Sequence, residues 1–190
     1  MSARLPAAAA AVLAALLVAA APCHAAPYRF DASRGEVRFS YSLPFSNGQG
    51  RFTGVTGTAE VNDAAPAKGN VDVVIDTRTL KASDALAQGE LRGDSFFAVA
   101  KHPRMHFKSS SIRGKTPTAF EIAGDMTVKG ITRPILLHVT LQPPDSAGVR
   151  QMRATTRISR KEFNMSAYAF LVGDVVQIEI RAPLVPVKPR

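Results

Sequence analysis

The stretch from Gly124 to Leu141, GDMTVKGITRPILLHVTL, carries the pattern that organises the chain. Met126 and Val128 share one parity, Lys129-Gly130 and Arg133-Pro134 interrupt it, and Ile135, Leu137, Val139 and Leu141 resume strict alternation. Successive side chains on a strand point to opposite faces, so this stretch reads as two β-strands, each with one apolar face. The same period recurs in Val37-Phe39-Tyr41, Val71-Val73-Ile75, Phe120-Ile122 and Val176-Ile178-Ile180. Eight strands are predicted, at about 36–43, 51–62, 69–80, 104–113, 119–128, 133–141, 149–159 and 174–184. Turn-forming residues separate them: Asn47-Gly48, Pro66 to Gly69, Gly114 to Pro117, and Pro143 to Gly148. That spacing belongs to an all-β sandwich or barrel.

Two segments break the rhythm. Ser83 to Phe97 offers Ser83 as an N-cap and Leu86 and Leu91 as apolar positions, with Gly89 and Gly93 weakening it. It is expected to be a short helical crossing near residues 83–97. Lys161 to Gly173 contains Phe163, Met165, Tyr168, Phe170 and Leu171, too apolar for a solvated loop, and is expected to fold over a cavity mouth or onto the barrel. Closing eight antiparallel strands removes exposed edges, and the inward faces then either fill the interior or surround one small ligand. Pattern alone favours the filled interior.

The N-terminus stands apart from this pattern. Arg4 precedes an unbroken run of Ala, Val and Leu from Ala7 to Ala21, and Cys23-His24-Ala25 ends it. This reads as a secretory signal peptide over residues 1–25, leaving one domain over residues 26–190. The only cysteine leaves with it, so neither disulfide nor thiol chemistry is expected. The full chain carries a net charge of +9. That charge suits anionic headgroups or an anionic membrane surface, while export argues against nucleic acid.

No catalytic motif accompanies the strands. His102 and His106 are separated by Pro103, His138 stands alone, and no carboxylate is spaced to complete a zinc site. There is no Gly-x-Ser-x-Gly elbow and no Ser-x-x-Lys. Asp84, Glu90, Asp94, Asp125 and Asp174 could meet only through the fold. Arg150, Arg153, Arg157, Arg160 and Lys161 crowd one strand; Arg153 and Arg157 share a parity and are candidate headgroup contacts, set against the alternative of a solvated outer face.

An ordered set of short pieces carries a resemblance. These are Gly50-Arg51-Phe52 with Gly57 and Val61, VVIDTRTL from Val73, LRGDSFFAVAKHPRMHFKS from Leu91, GDMTVKGITRP from Gly124, Ile158-Ser159-Arg160 with Phe163, and Val172-Gly173-Asp174. Over essentially the whole exported length the chain resembles the YceI-like family of lipid-binding proteins. Ala87-Gln88 stand where that family commonly has Arg-Asp, and Asn164 where it commonly has Gly. The resemblance implies an eight-stranded antiparallel lipocalin-like barrel in the periplasm that holds an isoprenoid or similar amphiphile. It implies no catalytic residue, metal or cofactor, and it shifts the interior reading toward a cavity. The candidate lining is Phe39, Tyr41, Phe52, Val73, Ile75, Phe96, Phe97, Phe107, Met126, Leu137, Phe163, Phe170, Val176 and Ile178. Contact with an anionic membrane and a homodimer are further candidate associations. The competing readings are an interaction module with a filled core and a basic face, and a lipid-modifying enzyme.

Overall fold

The computed structural model describes residues 26–188; the signal-peptide reading of residues 1–25 lies outside the described residues. Eleven strands and one helix follow in chain order: β1 (Ala26–Phe30), β2 (Glu36–Leu43), β3 (Ser46–Phe52), β4 (Val55–Val61), β5 (Asn70–Asp76), β6 (Lys81–Ala82), α1 (Ala85–Arg92), β7 (Arg104–Thr116), β8 (Ala119–Val128), β9 (Ile131–Leu141), β10 (Arg150–Ser159) and β11 (Val175–Pro186). Hydrogen bonds run β1-β4-β5-β7-β8-β9-β10-β11 and back to β1, closing an antiparallel barrel of eight strand positions.

Three of those positions are interrupted strands. β11 pairs with β2 through Val176 to Arg181 and with β1 through Leu184 to Pro186, so β1 and β2 form one broken line. β4 and β3 continue one another in the same way, as do β5 and β6. This resolves the strand expected over 51–62: it breaks at Thr53-Gly54, where Gly54 takes φ +69°, a conformation glycine adopts without strain. Asn47-Gly48, read as a turn, lies inside β3, and the turn falls at Pro44-Phe45. The hydrophobic pattern favours this register because it places Gly48, Gly50 and Phe52 on the buried side.

Burial follows the alternation. On β8, Phe120, Ile122, Gly124, Met126 and Val128 face inward, and on β9 Leu137, Val139 and Leu141 do so. β7 holds a bulge between Ser109 and Ser111, which moves the inward parity from Phe107 to Ile112. The helical crossing is a single helix, α1, capped by Asp84 rather than Ser83. The Asp84 carboxylate accepts from the Ala87 amide at 2.8 Å, and a charged acceptor also complements the helix dipole.

The two ends of the barrel differ. One carries the 62–69 and 142–149 connections and the Pro117-Thr118 turn. At the other, the mouth, two seams part. β6 has no pairing with β7, and β9 pairs with β10 only from His138 to Leu141. The irregular segment 160–173 covers the second seam, and Phe163 (0% exposed) and Met165 fill it. Asn164 closes the turn at φ +54°, the left-handed conformation in which Asn is the usual substitute for Gly.

Candidate functional site

The barrel interior is hollow. A cavity of about 460 Å³ runs through it, lined by Asn62, Pro66 and Leu184 at the far end and by Leu86, Tyr168 and Leu171 at the mouth. On β8 alone the lining extends from Phe120 to Val128, about 26 Å measured along the strand. The filled interior that the pattern favoured is therefore not what these faces build.

The reason lies in where the aromatic rings rest. Gly48 opposes Tyr41 and Gly50 opposes Phe39 across the β2–β3 pair. A Cβ at Gly50 would lie 2.3 Å from Phe39 Cζ, and one at Gly48 would lie 2.2 Å from the Tyr41 ring. Each ring occupies the space a neighbour's side chain would take. Phe107 does the same over Gly124, where a Cβ would approach its ring to 2.6 Å. The rings lie against the wall and leave the axis open. Phe39, Phe52 and Phe97 lock together, with centroids 5.5 Å apart for Phe39–Phe52 and 5.1 Å for Phe52–Phe97.

Most of the candidate lining is brought together. Phe39 and Tyr41 on β2, Phe52 on β3, Val73 and Ile75 on β5, and Phe107 on β7 all reach the cavity. So do Met126 on β8, Leu137 on β9, Val176 and Ile178 on β11, and Phe96 and Phe97 after α1. Two residues depart from the expectation. Phe163 is buried in the seam between β9 and β10 and is not part of the lining. Phe170 points to solvent, 84% exposed. Both sit on an irregular segment, where period-2 parity carries no information.

The basic cluster divides. Arg153 and Arg157 are exposed on the outer face of β10, away from the lumen, with Arg153 paired to Glu179 at 3.2 Å. They cannot meet a headgroup held inside the barrel. Arg150 is buried at the far end, bonding the Gln142 carbonyl at 2.9 Å and the Asp63 carboxylate at 2.8 Å. Arg160 is buried at the mouth and lines the cavity. It donates to the carbonyls of Met165, Ala167 (2.8 Å), Val172 (2.8 Å) and Gly173 (3.0 Å). One guanidinium thus gathers the 160–173 segment around itself. Sequence reasoning grouped it with its neighbours by charge; its place at the end of β10, just before an apolar irregular segment, was the available signal.

Across the mouth, the Tyr168 hydroxyl donates to Glu90 Oε2 at 3.1 Å, and its ring stacks on Phe96 with centroids 6.2 Å apart. The hydrogen bond and charge of Glu90 hold the Tyr168 phenol above its ordinary value. Burial, followed by the Asp84 charge, raises Tyr41 deeper in. Thr156 adds a hydroxyl side chain to the lining opposite Ile178. Glu60 borders the cavity at the far end and accepts from Asn70 Nδ2 at 2.6 Å, and other titratable groups are paired elsewhere. Asp94 pairs with Lys101, Asp174 accepts from Ser159 Oγ, and His106 Nε2 lies 2.7 Å from Asp72. Among the described residues no group of three or more His, Cys, Asp or Glu is placed to hold a metal ion.

A model of the YceI-like domain matches residues 28–184. The chain belongs to the YceI-like family. Protein YceI of Escherichia coli O157:H7 is 31% identical to this YceI-like chain over 159 residues, covering 80% of this chain and 83% of the relative. A UPF0312 protein of Yersinia pestis is 30% identical over 161 residues, covering 81% and 83%. The crystal structure of Burkholderia cenocepacia BcnA shares the fold with a TM-score of 0.75 at 21% identity, covering 81% of this chain and 98% of that one. A polyisoprenoid binding domain from Saccharophagus degradans does so with a TM-score of 0.66 at 14% identity, covering 86% and 100%.

Proposed function

We propose that this YceI-like protein is a periplasmic carrier that sequesters one long apolar molecule, an isoprenoid or a similar amphiphile, inside the barrel. The observation that carries the reading is the cavity itself, lined from the far end to the mouth and apolar along its walls. Its volume falls in the range of small-molecule sites. A hydrocarbon tail offers no hydrogen bonds, so apolar walls are all that it needs, and each methylene removed from water contributes about 0.8 kcal/mol. Tyr41, Phe96 and Phe97 near the mouth and Met126 and Leu137 further along are the residues expected to grip the tail. The shared fold with a polyisoprenoid binding domain supports the choice of ligand class.

The polar end of such a ligand belongs at the mouth, where Asp84, Glu90 and Tyr168 border the lumen. Two carboxylates there disfavour a phosphate and suit a hydroxyl or phenol that can donate. The reading assigns no catalytic step and no cofactor. The hydrogen-bonded titratable pair that reaches the cavity, Tyr168 with Glu90, lies at its exposed rim.

Native mass spectrometry of gently purified protein, before and after solvent extraction, tests the proposal. A non-covalent adduct removed by extraction is expected; a mass always equal to that of the bare chain counts against it.

A further inference from the structure

Exposed large apolar side chains gather around the mouth of the barrel. Phe45, Leu86, Tyr168, Phe170, Leu171 and Val175 are exposed there, on the β2–β3 turn, α1, the 160–173 segment and the first residue of β11. Antiparallel connectivity puts all four of these at one end. Only Leu136, on the outer face of β9, and Val187, beyond the far end, are comparably exposed among the described residues. Leu86, Tyr168 and Leu171 also line the cavity, so collar and lumen form one continuous apolar surface. Phe45 and Phe170 line nothing and belong to no core cluster. Two solvated phenylalanines flanking an opening have no packing role.

Charges of both signs surround this collar. Asp84 and Glu90 border the lumen. Outside it on the same end stand Arg133, Lys161 and the half-buried Lys129, which donates to the Asn164 carbonyl at 3.2 Å; none is within ion-pair distance of a described carboxylate, although the exposed Glu162 and the Asp94–Lys101 pair share that end. Exposed apolar rings beside lysine and arginine side chains match a phospholipid surface, whose phosphates meet cations and whose acyl chains take apolar anchors.

We infer that the collar is a membrane-docking surface: the barrel sits mouth-down on a bilayer containing anionic phospholipid. Phe45 and Phe170 insert among the acyl chains, while Lys129, Arg133 and Lys161 meet the phosphates. The inference rests on the carrier reading, because it lets a hydrocarbon tail pass between bilayer and lumen without crossing water, an exposure whose cost grows with every methylene.

Flotation of the exported protein with vesicles of phosphatidylethanolamine and phosphatidylglycerol tests it. The wild type is expected to float, less so as salt rises. Phe45→Ser with Phe170→Ser is expected to weaken vesicle binding by at least about tenfold, since two apolar anchors are lost. Arg153→Glu with Arg157→Glu, on the outer face, is expected to float as the wild type does. Uptake of an apolar fluorescent dye stays unchanged in both variants, which shows that they fold. A wild type left in the aqueous fraction overturns the inference, and so does a Phe45/Phe170 variant that floats equally well. A dimer that the same two changes split, without flotation, assigns the collar to a second copy and also overturns it. Dye excluded from the wild-type lumen, with collar-dependent flotation intact, removes the carrier reading and leaves the docking surface standing.

Discussion

The two ends of this barrel each bury an arginine, and they use it differently. Arg150 and Arg160 both keep only 3% of their surface exposed. At the far end Arg150 reaches a carboxylate on another connection, Asp63, and ties two crossings together. At the mouth Arg160 meets four main-chain carbonyls of one segment and no carboxylate within ion-pair distance. The first arrangement fastens regular strands that already close. The second supplies an internal scaffold for backbone that has no strand to pair with. A barrel can therefore leave its seams unzipped at one end, provided one side chain replaces the missing ladder bonds.

Arg160→Met tests this difference most severely. Four carbonyls lose their donor at once, and an unsatisfied buried group costs about 1–3 kcal/mol. A fall of about 3–5 kcal/mol in unfolding free energy is expected in urea, together with loss of bound ligand. Arg150→Met should cost less, about 1–3 kcal/mol, because Asp63 is itself mostly exposed and can return to water. If Arg150→Met proves the more damaging, the contrast between the ends is wrong.

Gly50→Ala sharpens the contrast from inside the lumen. The added Cβ must displace the Phe39 ring, the far end of a flexible side chain, toward the axis. We expect retained fold, a cost of about 1–3 kcal/mol and a clear drop in ligand capacity by native mass spectrometry.

Smaller effects belong to the rim. Tyr168→Phe keeps the stack on Phe96 but removes the bond to Glu90, and faster ligand release with little change in stability is expected by stopped-flow dye exchange. The accompanying pH effect has a definite sign. Because Glu90 raises the Tyr168 phenol above 10.0, the bond is fully present below that value and is lost as pH rises through the higher folded one. The difference in tyrosinate absorbance between wild type and Tyr168→Phe should thus appear above pH 10.0 and move down in Glu90→Gln.

Strand faces were legible in the sequence because period-2 alternation survives wherever one side is buried, as along β8 and β9. The breaks were not. Thr53-Gly54 interrupts a line that remains one barrel position, and the Ser109 bulge flips parity without any change of composition. Phe163 and Phe170 illustrate the same limit at the site: both are aromatic, seven residues apart, and only the path of an irregular segment decides that one is sealed and the other bare. The cavity depended on something subtler still. Large inward rings suggest a full interior unless one knows that Gly48, Gly50 and Gly124 lie beneath them.

The parted seam has a last consequence. From Ile131 to Leu137, β9 bonds only to β8, so lifting Phe163 and Met165 away would bare a strand edge to any passing chain. Pro134 within that stretch cannot donate a ladder bond, which makes the edge a poor template for fibril growth. Were that seam to part, it would thereby be guarded against polymerising.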